Sequence, residues 1–259
     1  MVTVYVVSGA SYGIGLELTR RLSSDTKNLV FALVTSVTAA EPLSTLTQSR
    51  ENLRVYFETE GDRQRGFEGF HFKMIARDIG KSAEGVDVLI NNISCAAGGA
   101  GGCDILSSEY RHTQIDDSHR LPSGCAFDAD NVTRAFIPLL HRGLLKKVVT
   151  IASGQAHDLQ LNSALPSNLE GSVPSNATKP TLRLTGARYS TLSELVREGF
   201  ICVTMDCDIG GVSEIQNGSY RDNVLPYFVE NVLTAIAHLK PEDSGRCIRV
   251  EHERDLITL

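Results

Sequence analysis

Short, nearly all-apolar runs alternate with helix-like segments along the chain, and this alternation most constrains how it can fold. Residues 29–34 read LVFALV and residues 87–90 read DVLI, with apolar side chains at all of these positions except Asp87. Such runs are typical of strands that are covered on both faces. Strand–helix alternation predicts a parallel sheet with right-handed crossovers and helices on both sides, which is a doubly wound α/β fold.

The pattern predicts about seven strands and six helices. The predicted strands are Val4–Val7, Leu29–Val34, Leu53–Phe57, Val86–Ile90, Val148–Ala152, Ile201–Met205 and Ile248–Glu251. The predicted helices are Ile14–Leu22, Ala39–Thr47, Gly66–Ile79, Phe127–Arg142, Pro180–Glu198 and Val224–Leu239. Since no linker or repeat divides them, we predict that residues 1–259 form a single domain.

Two long segments interrupt the alternation of predicted strands and helices. Cys95–Gly124 is rich in Gly and Ser, and His157–Pro174 is polar. Loops of this length are uncommon in compact domains and often line a binding site. Both follow the predicted ends of strands, where open α/β sheets bind ligands. We therefore predict that they form a pocket together with the segment near Ile209–Asn223.

Charge and cysteine usage exclude several classes of protein. The net charge of −6 disfavours binding to nucleic acid or to an anionic membrane. No apolar run is long enough for a membrane span, and the start lacks the basic region of a signal peptide. The six Cys show neither a CxxC pair nor metal-ligand spacing. We predict a cytoplasmic protein that acts on a small molecule and has no metal site.

A glycine-rich turn, SGASYGIG, occupies residues 8–15 between the first predicted strand and the first predicted helix. Gly9 permits a tight turn, Gly13 lets the backbone approach a pyrophosphate, and Gly15 allows close helix–strand packing. Free amides and the positive end of the helix dipole favour phosphate there. An ordinary strand–helix turn that needs flexible backbone would contain similar glycines. The predicted dinucleotide contacts are Gly9, Ser11, Gly13, Ile14 and Gly15.

Polar side chains end two later strands. Asn91-Asn92 follows the apolar run DVLI, and Ser153 follows VVTIA. Paired asparagines at a strand end can bond neighbouring backbone and hold the sheet edge over a cofactor, or they can form an ordinary polar turn. A serine at such a position is by itself more often a cap or turn residue than a catalyst.

In this order the motifs resemble the short-chain dehydrogenase/reductase family, and the resemblance covers essentially the whole chain. The glycine turn resembles that family's TGxxxGIG, Asn91-Asn92 its NNAG, Ser153 its catalytic Ser, and Ser175–Lys179 its YxxxK. The resemblance implies a Rossmann-type domain that binds NAD(P) across the sheet and assembles as a homodimer or homotetramer. It also implies that Asn91, Lys179 and Val212 contact the cofactor.

The main departure from the family is Ser175, which stands where the proton-donating Tyr is expected. In typical members Lys lowers the pKa of that Tyr, and Ser polarises the substrate carbonyl. A phenol has a reference pKa of about 10, whereas an aliphatic hydroxyl is a far weaker acid. Tyr189 is no substitute, because it is predicted to lie mid-helix with Ser193 where a Lys would be needed.

Other family positions differ as well. Ile93-Ser94 replaces Ala-Gly after the Asn pair, and Cys207-Asp208 replaces Pro-Gly after the sixth strand. The Asn that the family places on its fourth helix has no match, since Cys125 stands at the corresponding spacing.

The sequence encodes the choice between NAD and NADP only poorly. The segment 33–38 has no carboxylate to accept a ribose 2′-hydroxyl, whereas Thr35 and Ser36 could hydrogen-bond a 2′-phosphate or simply form a turn. Tyr12 occupies the place of the basic residue that often marks NADP-dependent members. We predict NADP in preference to NAD.

Reduction of an iminium needs no proton donor, whereas reduction of a ketone does. A C=N site instead needs negative charge, for which Asp158 and Glu170 are candidates unless they are merely solvated loop charges. Some family members in fungal alkaloid biosynthesis also lack the Tyr, reduce imine-like intermediates and in some cases steer a cycloaddition. We predict an NAD(P)H-dependent reductase of a C=N or C=O group in secondary metabolism, with Ser153, Lys179, Asp158 and Glu170 as catalytic residues. The alternatives are a non-redox pseudoenzyme or regulator that binds the cofactor, and a pericyclase or isomerase.

Overall fold

The computed structural model describes residues 1–34, 38–57, 70–92, 120–153, 183–207, 219–250 and 257–258. Its strands form one eight-stranded sheet in the order β3-β2-β1-β4-β5-β6-β7-β8. The strands are β1 Thr3–Ser8, β2 Asn28–Val34, β3 Leu53–Phe57, β4 Val88–Asn92, β5 Lys147–Ser153, β6 Ile201–Cys207, β7 Cys247–Val250 and β8 Ile257–Thr258. The first seven run parallel and β8 runs antiparallel to β7, so the predicted doubly wound Rossmann-type fold is confirmed. The eighth strand was not predicted.

Helices cover both faces of the sheet. They are α1 Gly13–Leu22, α2 Glu41–Ser49, α3 Phe70–Ile79, α4 Arg120–Leu140, α5 at residues 183–191, α6 Ser193–Arg197 and α7 Ser219–His238. One apolar cluster packs α1, α2 and α7 against the sheet, and the other packs α3, α4, α5 and α6 against the opposite face. None of the described helices is long and apolar enough to cross a membrane.

Burial on both faces explains why the strands are apolar at successive positions. All seven residues of β6 are buried. Val203 and Met205 belong to the cluster on one face, and Cys202 belongs to the cluster on the other. Full burial of one such side chain stabilises the fold by about 1.5–3 kcal/mol. The sheet therefore holds its carboxyl edge rigidly in place.

Two predicted helices differ from the observed ones. α4 begins at Arg120 and not at Phe127, so the end of the predicted loop Cys95–Gly124 is helical. The predicted helix Pro180–Glu198 is divided between α5 and α6, because Leu192 adopts an extended conformation with φ −69° and ψ 112°. Just before this break, the Ser190 hydroxyl donates to the Ala187 carbonyl, the kind of local side-chain bond that competes with helix continuation.

The strand order reverses between β1 and β4. The chain leaves β1 toward β2 and β3 on one side and later returns to place β4 on the other side of β1. In open α/β sheets the crevice at such a switch point, at the carboxyl ends of the strands, is where ligands bind. The glycine turn after β1 and the Asn pair at the end of β4 both lie at this crevice.

Candidate functional site

Close packing explains two glycines of the turn. Gly9 has a φ of 63°, in the left-handed region that favours glycine. A β-carbon added at Gly9 would lie 2.0 Å from the Asn92 carbonyl oxygen, and one added at Gly15 would lie 2.1 Å from the Gly9 carbonyl oxygen. The turn therefore presses against β4 and against the start of α1, and larger side chains would push these elements apart.

Gly13 has a different environment. Its φ of 54° is also left-handed, but a β-carbon added there would meet no atom of the described residues within 4 Å. Tyr12, the residue before α1, makes no side-chain cap and is 56% exposed. The first turn of α1 contains no acidic residue. Among the described residues no atom therefore stands beside Gly13 at the positive end of α1, and this arrangement fits an anionic group such as a pyrophosphate.

The two asparagines at the end of β4 have opposite orientations. The Asn92 side-chain amide donates to the Gly9 carbonyl at 3.0 Å and so holds the glycine turn. The Asn91 amide donates instead to the Thr133 hydroxyl of α4 at 2.8 Å. The side chain that touches the turn is therefore that of Asn92. Sequence reasoning grouped the pair but selected Asn91 as the cofactor contact, and this choice stays a prediction.

Asn91 belongs to a polar row across one face of the sheet. In the strand register Asn91 pairs with Ser8 of β1 and with Thr150 of β5, and all three are buried. The Asn91 side-chain oxygen and the Ser8 hydroxyl have no hydrogen-bond partner among the described residues. Ser11 and Ile14, the two further predicted contacts in the turn, are also buried.

The predicted catalytic residues are only partly described. Ser153 is the last residue of β5 and pairs with Cys207 of β6, so its backbone lies at the carboxyl edge of the sheet. The remaining predicted site residues lie outside the described residues, namely Ser36, Asp158, Glu170, Lys179 and Val212. Their roles stay predictions. Within the described part of the chain, no three His, Cys, Asp or Glu side chains are grouped as metal ligands.

Tyr189 occupies an environment that does not suit a proton donor. It is 4% exposed, and its hydroxyl donates to the Asp130 carboxylate at 2.6 Å. Burial and the neighbouring Asp130 carboxylate raise the pKa of Tyr189 well above its usual value. A catalytic acid needs a pKa lowered toward the working pH. Tyr189 therefore does not replace the tyrosine that is missing at position 175.

Sequence reasoning missed an ion pair with a buried acid near the carboxyl end of β6. The Arg183 guanidinium lies 3.0 Å from the Asp206 carboxylate, whose side chain is 4% exposed. Asp206 was missed because β6 was predicted to end at Met205, whereas it continues to Cys207. The available signal was an acid inside the apolar run ICVTMDC, since a buried charge requires a partner.

The sheet order and the glycine turn after β1 are those of a doubly wound, Rossmann-type α/β protein. No family model matches the chain. It is 28% identical over 251 residues to the short-chain dehydrogenase/reductase atnB of Arthrinium sp., covering 93% of this chain and 85% of that relative. It is also 27% identical over 267 residues to the short-chain dehydrogenase/reductase iacC of Pestalotiopsis fici, covering 97% and 92%.

Solved structures of low sequence identity show the same fold. NADPH-bound carbonyl reductase from chicken fatty liver superposes with a TM-score of 0.69 at 18% identity, covering 96% of both chains. The complex of RhlG with NADP from Pseudomonas aeruginosa gives a TM-score of 0.62 at 14% identity, covering 96% of this chain and 95% of that one. Along most of its length the chain is therefore similar in sequence to short-chain dehydrogenase/reductases and shares the fold of the solved reductases.

Proposed function

We propose that the chain is an NADPH-dependent reductase of small molecules whose glycine turn binds the pyrophosphate of the cofactor. The observation that carries this proposal is the contrast between the three glycines. Gly9 and Gly15 are packed against backbone, whereas a β-carbon added at Gly13, at the positive end of α1, would meet no described atom within 4 Å. This arrangement leaves room for a phosphate beside the turn.

Several observations support NADP over NAD. The segment 33–38 contains no carboxylate to accept a ribose 2′-hydroxyl, and Ser36 is our candidate for the 2′-phosphate. Two proteins with this fold were solved with NADPH or NADP bound. Asn91, Lys179 and Val212 are the remaining proposed cofactor contacts.

The substrate class follows from the side chain at position 175. The cofactor, when bound, supplies a hydride. With Ser175 in place of a phenol, protonation of an alkoxide is poorly supported, so we favour a C=N substrate over a C=O substrate. Ser153 and Lys179 orient the reacting groups, and Asp158 or Glu170 supplies the negative charge that stabilises an iminium.

We further propose a role in fungal secondary metabolism of the alkaloid type, and the similarity to short-chain dehydrogenase/reductases of Arthrinium and Pestalotiopsis supports the reductase part of this proposal. One continuous sheet supports our proposal that residues 1–259 form a single domain. A cytoplasmic homodimer or homotetramer without nucleic-acid or membrane partners completes the proposal.

A second candidate function is that of a non-redox protein, either a pseudoenzyme or a pericyclase, in which the cofactor only shapes the pocket. The environment of Tyr189 favours this candidate. Its hydroxyl is buried and bonded to Asp130, so it supplies no replacement for the missing acid.

Two measurements test these proposals. Parallel titrations should show that NADPH binds with a dissociation constant of about 1 μM or lower and more tightly than NADH. No affinity for either nucleotide would refute the proposed function. The Ser175→Tyr variant should then gain ketone reduction, because the sequence retains Ser153 and Lys179 at the other proposed catalytic positions. If Ser175→Tyr binds NADPH but reduces neither ketones nor imines, the non-redox function is supported instead.

A further inference from the structure

We propose that a cavity on one face of the sheet, beside β6 and β7, binds a small organic anion whose carboxylate or phosphate group lies between Arg183 and Arg246. The cavity has a volume of about 380 Å³ and is lined by residues of α5, β6 and the start of β7, among them Arg183, Leu184, Ala187, Thr204, Arg246 and Cys247. None of these residues is among the proposed cofactor contacts. The inference therefore goes beyond the proposed function and does not depend on it.

Incomplete cover of the sheet explains why a cavity forms here. Ile248 and Val250 of β7 are buried in the apolar cluster that contains α7, whereas Cys247 is only half-buried. Thr204 of β6 pairs with Cys247, so both side chains lie on the face opposite to that cluster. On this face α5 lies directly on β6, because a β-carbon added at Gly186 would lie 2.5 Å from the Thr204 hydroxyl. The helix thus covers β6 and leaves the adjoining part of β7 open beside it.

Arg183 supplies positive charge on the α5 side of the cavity. Its guanidinium is held 3.0 Å from the buried Asp206 carboxylate. The Arg183 Nε is also buried, and it has no hydrogen-bond partner among the described residues. A buried donor without an acceptor destabilises a fold, and oxyanions are the acceptors that a guanidinium binds most strongly. An anion in the cavity would supply such an acceptor.

Arg246 supplies a second positive charge from the β7 side. Its guanidinium lies 3.5 Å from the Asp243 carboxylate, and its side chain is 49% exposed. This distance is longer than that of a good hydrogen bond between charged groups. The pair with Asp243 therefore leaves guanidinium hydrogens of Arg246 to bind another acceptor. Two guanidinium groups that line one cavity suit the planar, multidentate oxygens of a carboxylate or phosphate.

Apolar side chains of α5 line the same cavity. Leu184 is 70% exposed, and Ala187 follows three positions later, so the two lie on the same side of the helix. An exposed leucine beside two arginines favours a ligand that has an apolar part as well as a negative charge. Cavities that hold small molecules begin at about 300 Å³, so this one has room for a small ligand only.

The cavity is separate from the crevice at the glycine turn. The sheet order places β4 and β5 between β1 and β6. Neighbouring strands are about 4.8 Å apart, so Thr204 lies about 14 Å from β1. An anion in this cavity therefore does not occupy the position proposed for the pyrophosphate beside Gly13.

The experiment titrates the full chain, without nucleotide, with hexanoate and with hexyl phosphate, and it follows the backbone amides by NMR. We expect at least one of these probes to bind with a dissociation constant of about 1 mM or lower, and the tighter one identifies the charged group of the ligand. Amides of residues 245–247 should shift, while those of Gly9, Gly13 and Gly15 stay unchanged. Hexanamide has the same apolar chain without the charge and should bind at least about tenfold more weakly.

Two matched variants test the role of the arginines. Arg246→Gln should raise the dissociation constant of the tighter probe about tenfold, the effect of losing one charge-assisted hydrogen bond. Arg188→Gln is the control, because it makes the same charge change at an exposed position of α5 that does not line the cavity, and its affinity should stay within about twofold of the wild type. Absence of binding by both probes, equal affinities of the two variants, or shifts confined to the glycine turn would each overturn the proposal. None of these results would bear on the NADPH titration that tests the proposed function.

Discussion

Substitution of Gly13 by Asp should separate the stability of the glycine turn from its function. Gly13 begins α1, has a φ of 54° and opens onto space free of described atoms within 4 Å. Asp tolerates the left-handed conformation better than most residues. A carboxylate at a helix start also stabilises the helix by about 0.3–1 kcal/mol through the helix dipole. We therefore expect the variant to fold with a free energy of unfolding close to that of the wild type.

Nucleotide binding should respond very differently. The carboxylate that Gly13→Asp introduces would stand where the proposed pyrophosphate approaches the turn. Two unit charges about 4 Å apart repel by about 4 kcal/mol at an effective dielectric constant of about 20. Because about 1.4 kcal/mol corresponds to a factor of ten, the dissociation constant for NADPH should rise by about three powers of ten. One substitution would thus leave the fold intact and remove the binding.

Gly13→Asn is the matched control, since it has nearly the same shape and backbone preference without the charge. We expect it to weaken NADPH binding by less than about tenfold. The chain contains no Trp, so the titration should follow the emission of NADPH itself. Equal affinity of the Gly13→Asp and Gly13→Asn variants would refute the assignment of a phosphate to this turn. A large loss of stability in both variants would refute the open environment described for Gly13.

Two further predictions concern stability. Gly9→Ala should lower the free energy of unfolding, measured by urea denaturation, by about 2–5 kcal/mol, because alanine is strained in the left-handed conformation and its β-carbon clashes with the Asn92 carbonyl. A loss of less than about 1 kcal/mol would contradict this packing. Burial of Glu17 acts to raise its pKa, but bonds from Arg20 and Arg21 outweigh it, so the pKa lies below its ordinary value of 4.5. The stabilisation by Glu17 is therefore complete above pH 4.5, and it is lost as the pH falls through the lower pKa that Glu17 has in the folded protein. In Glu17→Gln the free energy of unfolding should therefore fall less steeply as the pH is lowered through this range.

Local patterns were sufficient to predict most of the fold. The predicted bounds of β2 and β3 agree closely with the observed ones, because a run such as LVFALV indicates burial on both faces without reference to other segments. The start of α4 was missed because Pro122 and Gly124 look like helix breakers, although Pro is well tolerated in a first turn. The break at Leu192 was missed because apolar periodicity continues across it.

The site was predictable only where its chemistry is local. The spacing of Gly9, Gly13 and Gly15 is visible within eight residues, so the turn could be identified directly. Contacts between elements join distant positions: 83 residues separate Asn92 from Gly9, and 59 separate Tyr189 from Asp130. No periodicity encodes such pairs, since they depend on which elements the topology makes neighbours.

The contact between Asn92 and Gly9 has a consequence for how the protein matures. One bond that holds the turn at Gly9 comes from a strand that is synthesised more than eighty residues later, so β1 and α1 alone lack it. Nucleotide affinity should accordingly arise only after β4 has joined the sheet. The cofactor would then bind only chains whose central sheet is complete, and it would stabilise these chains relative to partly folded ones.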